Sequence, residues 1–432
     1  MRHFFFSIVI FTSLPISCSR SEKVADATDY NEFLKGKAVT SEVERVNHEI
    51  NFWQKRLDKD TGSYVNMLEL ARYQFSLFKL TGSIGALRNG DSLLKGSSAR
   101  LNDADPEILF SLSQNSITQH QFRQAAYYNE AAAKQDGDLY IIRLLQFDTW
   151  MELGQYGDAY KSLESLKDKS TFDYLIRKAK WEDHKGNLEG AIELMEQAFE
   201  KVKDKKMNLY CWALSNLADM YGHAGRIKES YNAYLAVLQK DPANLYCLKG
   251  IAWIAFAYDN NSAAARRILH YILSQADIPE IKLILAEISE SENKPEESRQ
   301  WINEFLTAVT KPGYGDMYNK YLIDIWAGEK QDQQKALLLA KKELSNRFTP
   351  ETCDWLAWAH YQMGNYQEAL KMSEAYVYKH TAVPDALMHT AFIYAANGKQ
   401  QEAKEMLEEC LESSFELGPV ASKQIREKLS SL

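Results

Sequence analysis

Gly364-Asn365-Tyr366-Gln367-Glu368-Ala369 and, 34 positions later, Gly398-Lys399-Gln400-Gln401-Glu402-Ala403 have the same form. Helically spaced residues precede each one: Leu356, Ala357 and Tyr361 before the first, Ala391 and Tyr394 before the second. Leu370, Ser373 and Tyr376 continue the pattern after the first. A glycine between two helical patterns marks a reversal of the chain. With that turn residue as marker, the chain can be walked backwards through Gly225, Gly186 and Gly154 to Gly82. Degenerate turns fall between them at His120, Asn260, Asn293 and Gln331. The ten markers are separated by 32 to 39 residues. An unrelated helical protein has no reason to keep such a phase.

The recurring residues have a physical reading. Two antiparallel helices that pack closely admit only a small side chain at their crossing. Ala159, Ala191, Ala265, Ala336, Ala369 and Ala403 take one equivalent place, with Ser230 and Ser298 as small substitutes. Aromatics such as Tyr221, Phe256 and Tyr394 fill the space between units. Pro106, Pro242, Pro279, Pro350, Pro384 and Pro419 precede helices, where the missing N–H is harmless. This pattern resembles the tetratricopeptide repeat, a helix-turn-helix unit with a period of 34. The resemblance implies an all-α fold, an α-α superhelix of about ten repeats covering residues 67–412.

A chain of 432 residues ordinarily divides into two or three globular domains. A repeat array escapes that rule, because each unit contacts mainly its neighbours. Only 20 glycines and 9 prolines argue against an all-β chain. The net charge of −8 and the absence of a basic block exclude a nucleic-acid-binding surface.

The start is different in kind. Met1-Arg2-His3 is basic, and residues 4–16 are nearly all apolar. That run is shorter than the roughly 20 residues needed to span a bilayer and fits the apolar region of a secretory signal. Residues 1–17 therefore read as a signal peptide. Ser17-Cys18 resembles the cleavage site of a bacterial lipoprotein, which implies acylation of Cys18, although Pro15 stands where that family usually has Leu. An outer-membrane lipoprotein, periplasmic or surface-facing, is the expected localisation. Residues 18–40 are polar and read as a flexible tether. Ser41-x-x-Glu44 reads as a capping box, followed by the stripe Val43, Val46, Ile50, Trp53 and Leu57. Residues 41–66 are expected to cap one end of the array and residues 413–432 the other. Cys211, Cys247, Cys353 and Cys410 are expected as buried free thiols.

The sequence contains no Gly-rich phosphate loop, no H-E-x-x-H and no G-x-S-x-G. Asp183-His184 and Asp219 with His223 lie near helix ends in adjacent units. They read as solvated polar residues rather than a metal or acid–base site. No cofactor, metal or enzymatic activity is expected. The resemblance implies that particular positions of the first helix in each unit line the concave face. Carried onto this sequence they are Arg72, Asp148, Asp173, Lys180, Asp183, Trp212, Asp219, Tyr258, Glu287, Tyr318, Tyr321, Trp358, Tyr361 and Phe392. Exposed aromatics in a groove are typical interaction anchors. The expected function is a scaffold for other proteins or peptides in the bacterial cell envelope, touching membrane only through its lipid. The alternative, a glycan-binding lipoprotein on the same scaffold, is weakened because the marker spacing leaves no room for long insertions.

Overall fold

The computed structural model describes residues 23–328 and 332–432. Gln331 and the N-terminal residues 1–22, with Cys18, lie outside the described residues. Short helix α1 (Ala27–Tyr30) and long helix α2 (Ala38–Lys59) come first. Ten antiparallel pairs follow: α3 (Tyr64–Thr81) with α4 (Ile84–Arg100), α5 (Pro106–Thr118) with α6 (Phe122–Lys134), α7 (Leu139–Glu152) with α8 (Tyr156–Glu164), and α9 (Phe172–His184) with α10 (Leu188–Val202). Next are α11 (Met207–His223) with α12 (Ile227–Lys240), α13 (Leu245–Trp253) with α14 (Ser262–Gln275), and α15 (Pro279–Ser291) with α16 (Pro295–Val309). The last three are α17 (Asn319–Gly328) with α18 (Gln333–Asn346), α19 (Pro350–Gln362) with α20 (Tyr366–Tyr376), and α21 (Pro384–Ala396) with α22 (Gln400–Cys410). Helix α23 (Ser414–Ser431) closes the chain. Among the described residues there is no strand, and no helix is long and apolar enough to cross a membrane.

Every marker within the described residues adopts positive φ, from Asn260 at 51° to Gly186, Gly364 and Gly398 at 79°. A left-handed residue is the ordinary way to end a helix and reverse direction within three residues. Glycine does this without strain; His120, Asn260 and Asn293 do it at some cost. The crossing positions Ala159, Ala191, Ala265, Ala336, Ala369 and Ala403 are completely buried, and Ser230 and Ser298 nearly so. Pro106, Pro279, Pro350 and Pro384 each open a helix. The four cysteines are buried and free. Burial pushes the Cys211 thiol up to about 11 and those of Cys353 and Cys410 up to about 12.

The array winds tightly enough for successive turns to touch. Gly82 packs on Ile278, Gly154 on Phe348, and Gly186 on Ala382, steps of 196, 194 and 196 residues. One turn is thus between five and six units. Arg123 donates from Nε to the carbonyl of Asn346 at 2.8 Å and from its terminal nitrogen to that of Ser345 at 2.6 Å, capping the end of α18 from the turn before. Arg347 pairs with Glu152 across the same seam at 3.2 Å.

Three expectations need correction. Ser41 caps nothing: α2 begins at Ala38, placing Ser41 inside the helix. The described part of the expected tether, residues 23–40, is docked. Val24 and Ala25 donate their amides to the Asp259 carboxylate at 2.9 and 2.8 Å, and Tyr30 is completely buried. The polar composition concealed three anchors, Tyr30, Phe33 and Val39, that join the core of the neighbouring turn. Finally, the terminal helix does more than cover an end. Leu417 and Ile425 complete the core of the last unit, yet α23 also crosses to α11 and α15 on the inside of the coil.

Gly154 and Gly364 share one backbone conformation and differ in surroundings. A Cβ at Gly364 meets open space, whereas one at Gly154 collides with the Phe348 carbonyl. Gly364→Ala should cost about 1–2 kcal/mol from left-handed strain alone. Gly154→Ala should cost roughly 1–3 kcal/mol more, because the seam between turns must part. Urea denaturation of the two variants separates these outcomes; equal losses would show that the turns do not bear on each other.

Candidate functional site

The first helices of six consecutive units surround one internal space. Their inward residues follow helical spacing: Asp219 and His223 on α11, Tyr246 and Trp253 on α13, Glu280 and Glu287 on α15, Lys320, Tyr321 and Asp324 on α17, Asp354 and Trp358 on α19, Asp385 and His389 on α21. Because one superhelical turn takes nearly that number of units, these faces converge. The space consists of two cavities of about 670 and 500 Å³, which share Glu287, Asp324, Asp385 and Leu417.

Residues 415–424 of the C-terminal segment run between the two cavities. The Trp253 indole donates to the Phe415 carbonyl at 3.0 Å. Phe415 lies against Gly222, where a Cβ would be 2.9 Å from its ring. The chain turns at Gly418, with φ 80° and ψ 171°, a conformation almost confined to glycine. There it presses on Trp253 and Glu287. Trp253 sits where α13 widens into a π-helical turn, Ile254–Tyr258, which re-aims the side chains at its end.

The electrostatics follow from enclosure. Burial raises the Glu287 carboxyl to about 8, against the opposing hydrogen bond from the Val420 amide. Burial also raises Asp324, Asp219 and Glu416. Asp219 accepts hydrogen bonds from the hydroxyls of Tyr234 and Tyr246. Asp385 moves the other way: burial opposes it, but Lys320 at 3.0 Å and His389 hold it below its ordinary range. His389 is buried and bonded through Nδ1 to Asp354 at 3.0 Å; that carboxylate raises it against the effect of burial.

The expected concave residues separate into three groups. Asp219, Glu287, Tyr321 and Trp358 line the internal space, with Tyr361 and Phe392 beside Trp358. Trp358 is not a free platform. His389 stacks on it at 4.0 Å and Tyr361 at 4.9 Å, and its indole N–H donates to Asp324 at 3.2 Å. Lys180 and Asp183 lie on α9, one unit before the six. Lys180 pairs with Glu152 at 2.8 Å, and Asp183 feels His223. The remainder do other things. Arg72 pairs with Glu69 and lies over the Tyr73 ring on the first unit, and Trp212 meets Phe172 edge-on. Tyr258 ends the π-helical turn and is exposed. Asp173 lends its carbonyl, and Asp148 its carboxylate, to Arg177, which ties α7 to α9. Tyr318 is a correction: only 7% exposed, it packs with Phe305 and Tyr314 and is core rather than inner wall.

His184 stacks on Tyr156 at 4.1 Å, and His223 lies 3.7 Å from Glu416. Among the described residues no group of three or more His, Cys, Asp or Glu is placed to hold a metal ion.

Comparison with known proteins agrees with the helix-pair geometry. The family model of the tetratricopeptide repeat matches residues 385–414, the last pair of the array. Similar solved structures include a tetratricopeptide repeat protein from Parabacteroides merdae, 16% identical over 60% of this chain and 97% of that one, with a TM-score of 0.34. Another is the APC/C hetero-tetramer Cut9-Hcn1, 14% identical over 89% of this chain and 93% of that one, TM-score 0.34. A third is a monomeric mutant of IFIT1 with Gppp-AAAA, 11% identical over 80% of this chain and 79% of that one, TM-score 0.45. Among curated proteins, none matches.

Glu287 makes stability depend on pH. Its folded value of about 8 stands above the ordinary carboxylate value, so the folded chain holds a proton that the unfolded chain has released. Stability is therefore undiminished below the ordinary range and is lost as pH rises towards 8. Glu287→Gln, neutral at every pH, should melt on the order of 2 °C or more above the parent at pH 9 and with it at pH 4. The same offset in both melts would mean that Glu287 is not protonated in the fold.

Proposed function

Taking the chain as a tetratricopeptide-repeat-type solenoid, we propose that it is an exported, lipid-anchored scaffold that holds other proteins or their peptide segments on its inner face, in the envelope of a bacterium. Export rests on the basic start followed by an apolar run too short to span a bilayer. The anchor rests on Cys18 directly after Ser17. The holding role rests on one observation above all. Six successive first helices aim aromatic and charged side chains into a common internal space, and a length of polypeptide, residues 415–424, already runs through it. A surface built only for packing would fill that space with apolar side chains.

The expected outcome in cells is directional. A photo-cross-linking residue in place of Tyr321, on the inner face, should capture a partner. The same residue in place of Glu405, exposed on α22, should not. Cys18→Ser should move the protein from the membrane fraction to the soluble one. Equal capture from both faces, or none from Tyr321, would remove the inner-face reading. Unchanged fractionation would remove the lipid anchor.

A further inference from the structure

Residues 24–39 form a strap that fixes where the N-terminal end of the chain leaves the coil. They lie on α12 and α14, the second helices of the fifth and sixth units. The Asp259 carboxylate, just ahead of α14, accepts the Val24 and Ala25 amides at 2.9 and 2.8 Å, two charge-assisted bonds to one side chain. The Tyr231 hydroxyl of α12 accepts the Asp26 amide and donates to the Asp26 carbonyl, both at 3.1 Å. Tyr30 is completely buried, and Arg267 of α14 donates to its hydroxyl at 3.3 Å. Phe33 and Val39 join the same core, and Tyr271 of α14 reaches the Gly36 carbonyl at 3.5 Å. The chain then continues through α2 into the first unit, where α2 packs on α3. The strap is thus fastened to units on two successive turns, and its place on the coil is fixed.

Resting on the lipid-anchor reading above, we propose that the strap holds one side of the coil, the strap-bearing side of α12 and α14, against a lipid bilayer. Val24 lies six residues after Cys18. Fully extended, at about 3.5 Å per residue, that length reaches roughly 21 Å. Acyl chains on Cys18 would start at the edge of the hydrocarbon core, and the headgroup layer takes up about 6 Å of the reach. The remainder, about 15 Å, is little more than the diameter of one helix with its side chains. A tether free as far as residue 40 would instead span up to roughly 75 Å, and the coil could turn any face to the membrane. The strap's charges balance: Lys23, Lys35 and Lys37 stand against Asp26, Asp29 and Glu32, all exposed. Attraction to anionic lipid therefore does not bring this face to the membrane. The short covalent link does.

Short-range fluorescence quenching tests this on the full-length lipid-modified protein in phosphatidylcholine vesicles whose headgroups carry a nitroxide. The fluorophore sits on Ala263→Cys, an exposed position of α14 beside Lys23 and Ala25; Cys211, Cys247, Cys353 and Cys410 are buried. Its emission is strongly quenched. Twenty Gly/Ser residues inserted after Ser21 leave the strap untouched, add about 25 Å of r.m.s. reach, and bring quenching to roughly half or less. Tyr30→Ser frees the strap and does the same, with circular dichroism confirming that helicity is kept. An unquenched label on vesicle-bound protein overturns the proposal and leaves the anchor standing. Quenching that neither the insertion nor Tyr30→Ser reduces also overturns it, since something other than the strap then sets the face. Hydrogen exchange on Cys18→Ser separates the remaining case. If the parent does not bind vesicles while the amides of Val24 and Ala25 stay protected in Cys18→Ser, the anchor fails, the membrane face falls with it, and the docked strap remains.

Discussion

Two antiparallel helices can approach closely only where one of them has almost no side chain at the crossing. That constraint recurs through the array, at Ala125, Ala159, Ala191, Ala265, Ala336, Ala369 and Ala403, all fully buried, with serine twice in the same place. Close approach fixes the angle between the helices of a pair. A left-handed residue at each described turn fixes how the second helix leaves the first. Repeating one angle and one turn gives a constant rotation per unit, and constant rotation gives a coil. The internal space is therefore a consequence of side-chain size at the crossings, not of any residue that lines it.

The coil differs from an open rod in that its turns touch. Arg123 caps the end of α18 from one turn away, and Glu152 stands between Lys180 of its own turn and Arg347 of the next. In a simple solenoid each unit depends on its neighbours alone. Here a unit also leans on one nearly 200 residues along the chain, and the N-terminal residues 24–39 bridge the same gap through Asp259 and Tyr30. Those long-range contacts hold the lumen at a fixed width. They also enclose it, so that side chains such as Asp324 and Lys320 are wetted by the cavity and yet surrounded by protein.

The periodic parts of this arrangement were legible in the sequence and the aperiodic parts were not. Marker spacing located nine described turns and the crossing alanines, because those residues answer to contacts within one unit. Of the expected concave positions, Asp219, Glu287, Tyr321 and Trp358 lie on the internal space. Tyr318 does not: it precedes α17 and packs into the corner formed with Tyr314 and Phe305. Asp324, Asp354 and His389 were missed although each lies three or four residues from a named aromatic on the same helix face. Extending the period by one turn would have found them. Nothing periodic announces Tyr30, Phe33 or Phe415. Their partners lie on another turn of the coil, and a pattern of local spacing carries no information about how many units complete a turn.

The C-terminal segment shows how finely the interior is balanced. Phe415 and Leu417 bury apolar surface, and the Trp253 indole satisfies one carbonyl. Against this, Glu416 is drawn in among Asp385 and Asp183, which raise its carboxyl with burial while His223 and Lys320 oppose them. A segment whose hydrophobic anchors favour the lumen and whose charge does not is held by the difference of the two. Adding a cation to the same space would lower the electrostatic part of that cost. Adding a carboxylate would raise it. The charge of whatever enters the coil therefore bears on how firmly the chain's own end stays within it, because both are felt by the same enclosed carboxylates.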